Sequence, residues 1–80
     1  MINKAEMNAH IEKHTSLAPH QQRVVEEKAA LDEKLAKLLA FFDTPTYAAL
    51  ATEDRLLLIA QHTHMRAYSD TLGTRIARWR

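Results

Sequence analysis

An apolar stripe that repeats at helical spacing along residues 20–43 constrains the fold of this chain more than any other feature of its sequence. Its main members follow steps of seven, four, three and four residues: Val24, Leu31, Leu35, Leu38 and Phe42. This spacing gathers side chains on one face of an α-helix. The stripe therefore predicts a long helix over residues 20–43, roughly 36 Å in length at 1.5 Å per residue.

A second long helix is predicted over residues 53–79. The first helix should end just before Pro45, because the residue that precedes a proline is driven out of the helical region. Thr52 is the predicted N-cap of the second helix, and acidic residues follow it in the first turn. Residues 47–50 are expected to form a single turn that packs over the connection. The second stripe has these members: Leu58, Met65, Leu72, Ile76 and Trp79, with Tyr68 alongside.

The composition favours an all-α fold in a single domain over residues 1–80. The whole chain has one glycine and two prolines, and this low content of turn-forming residues argues against a fold rich in β-hairpins. Residues 2–14 predict a short, weakly amphipathic N-terminal helix. The two long helices, joined by a short connection, predict an antiparallel helical hairpin. Gly73 interrupts the second helix at a cost of about 1 kcal/mol in helix propensity, and it could permit close approach of another helix.

The size of the chain predicts a homo-oligomer. A domain of 80 residues buries only about 60% of the surface that its unfolded chain exposes. The chain has no cysteine, so no disulfide can supplement its core. Two helices leave much of their apolar stripes exposed, and further copies of the chain would cover them.

The charge and hydropathy of the chain exclude several classes of partner. Eleven basic and ten acidic residues give no general positive field for duplex nucleic acid. The longest apolar runs, residues 38–42 and 56–60, are far too short to cross a bilayer, so no membrane association is expected. The N-terminus carries no apolar segment of the kind found in signal peptides, which favours a cytosolic location.

Lys28 is the residue that most invites a functional explanation, because it occupies a position on the otherwise apolar stripe of the first helix. Burial of an unpaired ammonium group is unfavourable. One interpretation is structural: Lys28 extends its amine to water, or pairs with an acidic residue such as Glu12. The other is that Lys28 binds an anion such as a phosphate.

Polar residues one to two turns before Lys28 favour the second interpretation. Gln21 lies one heptad earlier on the same face, and His20 and Arg23 are close by. The amino end of a helix offers free N–H groups to anions, and histidine or arginine can stack on a nucleobase. The alternative is an ordinary solvated helix start. Arg75 belongs to a basic C-terminal end that could also contact phosphates, although cations there are expected from the helix dipole alone.

The histidines do not form a recognisable metal site. His10 and His14 have ligand spacing on a helix, but His62 and His64 are two residues apart and face different ways. No cysteine and no HExxH pattern accompany them, so we interpret them as surface histidines and expect no metal. No nucleophile motif, glycine-rich loop or paired-carboxylate motif is present either, so neither catalysis nor a cofactor is expected.

Two stretches of the chain are similar to a known family. The run from His20 to Leu35, HQQRVVEEKAALDEKL, continues to the Phe41-Phe42 pair, and residues 61–76 match in a second block. Matching positions in that block are Met65, Tyr68, Leu72, Arg75 and Ile76. Together these residues resemble the phage anti-CBASS type 2 family of cyclic-oligonucleotide sponges, and the resemblance covers residues 20–76.

The resemblance implies a fold and a function. Members of the family are compact helical proteins that assemble as homohexamers in the cytoplasm of the infected bacterium. They bind cyclic dinucleotides such as 3′,3′-cGAMP, and in some members cyclic trinucleotides at separate sites, without hydrolysing them. By sequestering the signal they keep the effector of CBASS, a bacterial immune system, inactive. Binding uses an aromatic residue of the N-terminal part and a lysine of the long helix, at the junction between protomers.

Lys28 is the natural candidate for that lysine, because it lies in the matching Glu-Glu-Lys stretch. No Phe, Tyr or Trp precedes Phe41 in this sequence, so the stacking role would pass to His14 or His20, or be lost. The candidate ligand-binding residues are Lys28, His20, His14, Arg23, Gln21, Lys13 and Arg75. A second hypothesis is a helical interaction protein that binds a host protein through an exposed apolar stripe.

Overall fold

A computed structural model describes residues 17–79 of the chain. Within this range the chain forms three helices, α1 (Pro19–Phe41), α2 (Pro45–Ala48) and α3 (Thr52–Ala77), and no strand. The two long helices α1 and α3 pack against each other as an antiparallel hairpin. The all-α prediction is therefore confirmed for this part of the chain. The helix predicted over residues 2–14 lies outside the described residues, and the homo-oligomer stays a prediction.

Helix α1 begins one residue before its predicted start and ends two residues before its predicted end. Pro19 occupies its first turn after the extended residue Ala18, where a proline is tolerated because its missing N–H needs no partner. The Gln21 side chain accepts a hydrogen bond from the Ala18 backbone N–H (2.9 Å). At the other end the Thr44 hydroxyl donates to the Phe41 carbonyl (2.7 Å). Both termini of α1 thus have local hydrogen-bond partners.

The connection between the long helices is built around Tyr47. Thr44 is extended, as expected before a proline, and its hydroxyl accepts a hydrogen bond from the Tyr47 N–H, which caps α2. The Tyr47 ring packs edge-on against Phe41 at 5.9 Å between ring centroids. It also packs against Phe42 in a tilted arrangement at 4.9 Å. The predicted turn therefore exists and packs over the connection, but it covers Pro45–Ala48 rather than residues 47–50.

The predicted N-cap of α3 is wrong by one residue. Ala51 is the extended capping residue and offers no side-chain hydrogen bond, while Thr52 is the first helical residue. The Thr52 hydroxyl instead accepts a hydrogen bond from the Arg55 guanidinium (3.1 Å). Helix α3 ends at Ala77, two residues before the predicted end.

The core of the hairpin is small. Val24, Leu35 and Leu72 are buried, and Leu72 is only 1% exposed. The other stripe residues of both helices are half-buried, except Tyr68, which is exposed. Several large apolar side chains outside the core stand in solvent, among them Leu56 and Leu57 at 60% and 67% exposure. Among residues 17–79 no helix has the length and apolar character needed to cross a membrane.

Candidate functional site

Lys28 extends from α1 across to α3 and joins a polar cluster of three residues. Its ammonium nitrogen lies 2.7 Å from Asp32 Oδ2, one turn later on α1, and donates to Ser69 Oγ on α3 at 3.0 Å. The Ser69 hydroxyl in turn donates to Asp32 Oδ1. Lys28, Asp32 and Ser69 thus form a closed ring of hydrogen bonds, called here the Lys28 cluster. The acidic partner suggested from the sequence, Glu12, lies outside the described residues.

The Lys28 cluster favours the charged form of Asp32. The hydrogen bond from Lys28 lowers the pKa of the Asp32 carboxyl below its ordinary value of 3.8, and the Ser69 hydrogen bond acts in the same direction. Partial loss of hydration raises the pKa of Asp32, and the Coulombic attraction of Lys28 lowers it. The side chains of Lys28 and Asp32 are 30% and 46% exposed, so the ion pair is open to water and to ligands.

Gly73 accommodates the aliphatic part of Lys28. A β-carbon at Gly73 would lie 3.3 Å from Lys28 Cε, which is closer than ordinary van der Waals contact. The close approach expected at this glycine is therefore made by a side chain of α1. Gly73 and Ser69 are four residues apart on α3, and residues at this spacing share a helix face. Together they leave a depression in which the Lys28 side chain lies.

An open groove of about 310 Å³ runs between α1 and α3 beside the Lys28 cluster. The α1 wall continues from Lys28 and Asp32 to an apolar surface formed by Leu35, Ala36 and Leu39. Leu35 is buried, whereas Leu39 is 58% exposed. The groove, called here the interhelical groove, therefore offers a charged end and an apolar end on the same wall.

The α3 wall of the interhelical groove carries a second cation and a planar ring. Arg66 lies 3.6 Å from the Asp70 carboxylate, four residues later on α3. His62, one turn before Arg66, also lines the groove, and its ring packs on Phe42 at 5.7 Å between centroids. Each wall thus pairs one cation with one carboxylate at the i+4 position. The groove is close to neutral, and it combines hydrogen-bond donors with an apolar surface.

A family profile, Sequestin, matches residues 18–78 of the chain. The chain belongs to the Sequestin family. Sequestins are the anti-CBASS cyclic-nucleotide sponges, the family that the sequence resemblance indicated. No curated protein and no solved structure matches the chain.

The Sequestin match includes both long helices and every residue of the interhelical groove. A Sequestin is a binding protein of the sponge type rather than an enzyme. The relevant property of the site is therefore the set of groups that it offers to a ligand. The interhelical groove of this Sequestin offers hydrogen-bond donors and an apolar surface.

Of the predicted binding residues that fall within residues 17–79, Lys28 alone lines the groove. The Gln21 side chain accepts a hydrogen bond from the Ala18 N–H at the start of α1. His20 and Arg23 are exposed near that start, and Arg75 is exposed in the last turn of α3. Their roles in binding stay predictions. The two remaining candidates, Lys13 and His14, lie outside the described residues.

Five polar residues of the groove were not among the binding candidates predicted from the sequence: Asp32, His62, Arg66, Ser69 and Asp70. Asp32 could have been found, because a carboxylate four residues after a lysine on a helix is a natural partner. Ser69, His62 and Arg66 lie on the other helix, and only the register of the hairpin reveals that they face Lys28. Among residues 17–79 no three His, Cys, Asp or Glu side chains come together in a way that could hold a metal ion.

Proposed function

We propose that this Sequestin binds cyclic dinucleotides and holds them without hydrolysis, so that the CBASS effectors of an infected bacterium stay inactive. The observation that carries the proposal is the position of Lys28, whose ammonium group lies at the charged end of a groove with an apolar continuation. The family of the chain supports the same class of ligand. Cyclic trinucleotides are a further candidate ligand class.

Lys28 can bind a phosphate without leaving its cluster. An ammonium group has three N–H donors, and the contacts with Asp32 and Ser69 use two of them. The third can donate to a phosphate oxygen as a charge-assisted hydrogen bond, which is stronger than a neutral one. Asp32 and Ser69 would then hold the ammonium in place while the phosphate binds.

The size of the groove favours a site completed by a second copy of the chain. At about 310 Å³ the groove is at the small end of the range for ligand pockets, about 300–1,000 Å³. It suits one nucleotide better than two. We therefore propose that two copies, within a homo-oligomer such as the hexamer that the resemblance implies, enclose one cyclic dinucleotide between them. Capture would then be stoichiometric.

Calorimetric titration with a panel of cyclic di- and trinucleotides tests the proposal. We expect saturable binding of at least one cyclic dinucleotide, and ligand released by heat should have an unchanged mass. The proposal is wrong if no member of the panel binds at micromolar concentration. Release of a cleaved product would instead indicate an enzyme that hydrolyses the signal.

Substitution of Lys28 tests the site. Loss of one charge-assisted hydrogen bond is expected to weaken binding by about 10- to 150-fold in Lys28→Ala, with the helical circular dichroism spectrum retained. Lys34→Ala is the matched control, because Lys34 is an exposed lysine on the same helix that does not line the groove. Equal affinity of the two variants would contradict the site.

A helical interaction protein is the second candidate function. The exposed apolar side chains of Leu39, Leu56 and Leu57 favour it, because such residues can form a protein interface. Affinity capture from bacterial lysate discriminates the two functions. A stoichiometric host protein in the eluate, together with no nucleotide recovered from the purified chain, would support this alternative and contradict the sponge.

A further inference from the structure

We infer that His62 is a nucleobase-binding residue: the base of a nucleotide whose phosphate contacts Lys28 stacks on the imidazole ring of His62. The inference rests on the proposed function, since it names the part of the groove that takes the base. His62 was interpreted as a surface histidine from the sequence. The structure instead gives it a half-buried position on the α3 wall of the interhelical groove.

The His62 ring packs against an aromatic residue at the end of α1. It packs on Phe42 at 5.7 Å between centroids with an angle of 56° between the ring planes. Phe42 is itself packed against Tyr47 at 4.9 Å. A ring that is already ordered loses little conformational entropy when a base stacks on it. Phe42 and Tyr47 therefore order the His62 ring before a base stacks on it.

The spacing of His62 and Lys28 fits one nucleotide. His62 precedes Ser69 by seven residues, so the two residues share a face of α3 and lie about 10.5 Å apart along the axis at 1.5 Å per residue. The Lys28 ammonium is 3.0 Å from Ser69 Oγ. A phosphate at Lys28 and a base at His62 would be joined by a ribose that crosses the intervening groove.

The surface between these two residues has the chemistry of a ribose and base site. Leu35 and Leu39 of α1 supply an apolar wall opposite α3. Arg66 lies one turn after His62, and its guanidinium can donate to a base edge or stack on the base. Stacking on an imidazole accepts any base, because every base has a π face. The ligand class is therefore a purine or pyrimidine nucleotide whose phosphate contacts Lys28.

Two ligands that differ only in the base give a direct test. Adenosine 5′-monophosphate and ribose 5-phosphate share the sugar and the phosphate, and their affinities can be measured by NMR titration of the chain. We expect the wild type to bind adenosine monophosphate about 5- to 150-fold more tightly, the range that base–aromatic stacking gives. We expect His62→Ala to bind the two ligands equally, and His62→Phe to keep the preference because it keeps a ring.

His64→Ala is the matched control for this test. His64 is an exposed histidine on the same helix and does not line the groove, so its variant should keep the preference for adenosine monophosphate. His62 also packs on Phe42, and its removal could disturb the fold. The wild-type spectrum supplies a second measurement: the ring protons of His62 should shift when adenosine monophosphate is added and stay unchanged with ribose 5-phosphate.

The outcomes separate this inference from the proposed function. Equal affinity of the wild type for the two ligands, or unchanged His62 ring protons, would overturn the nucleobase site even if cyclic dinucleotides bind. A His62-dependent preference for adenosine monophosphate in a chain that binds no cyclic dinucleotide would support the nucleobase site and contradict the sponge.

Discussion

Ser69 on α3 holds Lys28 on α1 by a hydrogen bond of 3.0 Å between residues that are 41 positions apart in the chain. Ser69 is only 3% exposed, and a buried hydroxyl without partners would destabilise the fold. Here it accepts from Lys28 and donates to Asp32, so both of its hydrogen-bonding functions are used. The Lys28 ammonium group, which is proposed to bind a phosphate, therefore also connects the two helices.

Ser69→Ala should lower the free energy of unfolding by about 0.5–1.5 kcal/mol, the usual net value of an intramolecular hydrogen bond. The Lys28–Asp32 ion pair would remain. Urea unfolding followed by circular dichroism measures the change. Thr71→Ala is the control, because the Thr71 hydroxyl is exposed and donates only to the Ala67 carbonyl of its own helix. An equal loss in both variants would argue against the interhelical role of Ser69.

Gly73→Ala should raise stability and reduce ligand binding. Alanine is favoured over glycine inside a helix by about 0.5–1 kcal/mol, so the free energy of unfolding should increase. The new β-carbon would meet Lys28 Cε at 3.3 Å and displace the ammonium by a few tenths of an ångström. We expect a several-fold loss of cyclic dinucleotide affinity by calorimetry.

Thr74→Ala separates the two effects of that substitution. Thr74 is exposed on the next position of the same helix, and its replacement also improves helix propensity. We expect this variant to gain stability without losing affinity. If Gly73→Ala also keeps wild-type affinity, Gly73 affects helix stability but does not position Lys28 for ligand binding.

The pKa of Asp32 should make stability depend on pH. Because its pKa is lowered in the folded chain, the contribution of Asp32 is fully present above the ordinary value of 3.8 and is lost as the pH falls through the lower folded-state value. Carbon-13 NMR of the Asp32 carboxyl should give a midpoint below 3.8. Lys28→Met should move that midpoint upward, whereas Lys34→Met should leave it where it is.

Replacement of Ala51, the N-cap residue of α3, by serine should stabilise the chain. A serine at an N-cap position is more favourable than alanine by about 1 kcal/mol, so Ala51→Ser should increase the free energy of unfolding by that amount. Thr52→Ala should change it by less than about 0.5 kcal/mol, as is usual for surface substitutions. The opposite ranking would mean that Thr52 caps the helix, as its sequence position suggested.

Sequence periodicity predicted the long helices well and their mutual register not at all. The stripe led by Val24 and Leu35 predicted α1 to within two residues at each end, because it depends on local helix geometry. The contacts of Lys28 with Ser69, and of Phe42 with His62, depend on how the Tyr47 turn sets one helix against the other. No local pattern encodes that relationship. The N-cap of α3 was predicted one residue too late, a difference within the one or two residues by which helix boundaries commonly vary.

The position of the Lys28 cluster relative to the turn has a consequence for motion. Contacts near the turn join residues close in sequence, such as Tyr47 and Arg55, whereas those at the Lys28 cluster join residues 37 and 41 positions apart. Local opening of a hairpin costs least at the ends farthest from its turn. Amide hydrogen exchange should therefore be faster in the first turn of α1 and the last turn of α3 than beside Phe42 and His62. A nucleotide that contacts both helices would hold their ends together. Amide hydrogen exchange at the ends farthest from the turn should therefore become slower when the nucleotide is bound.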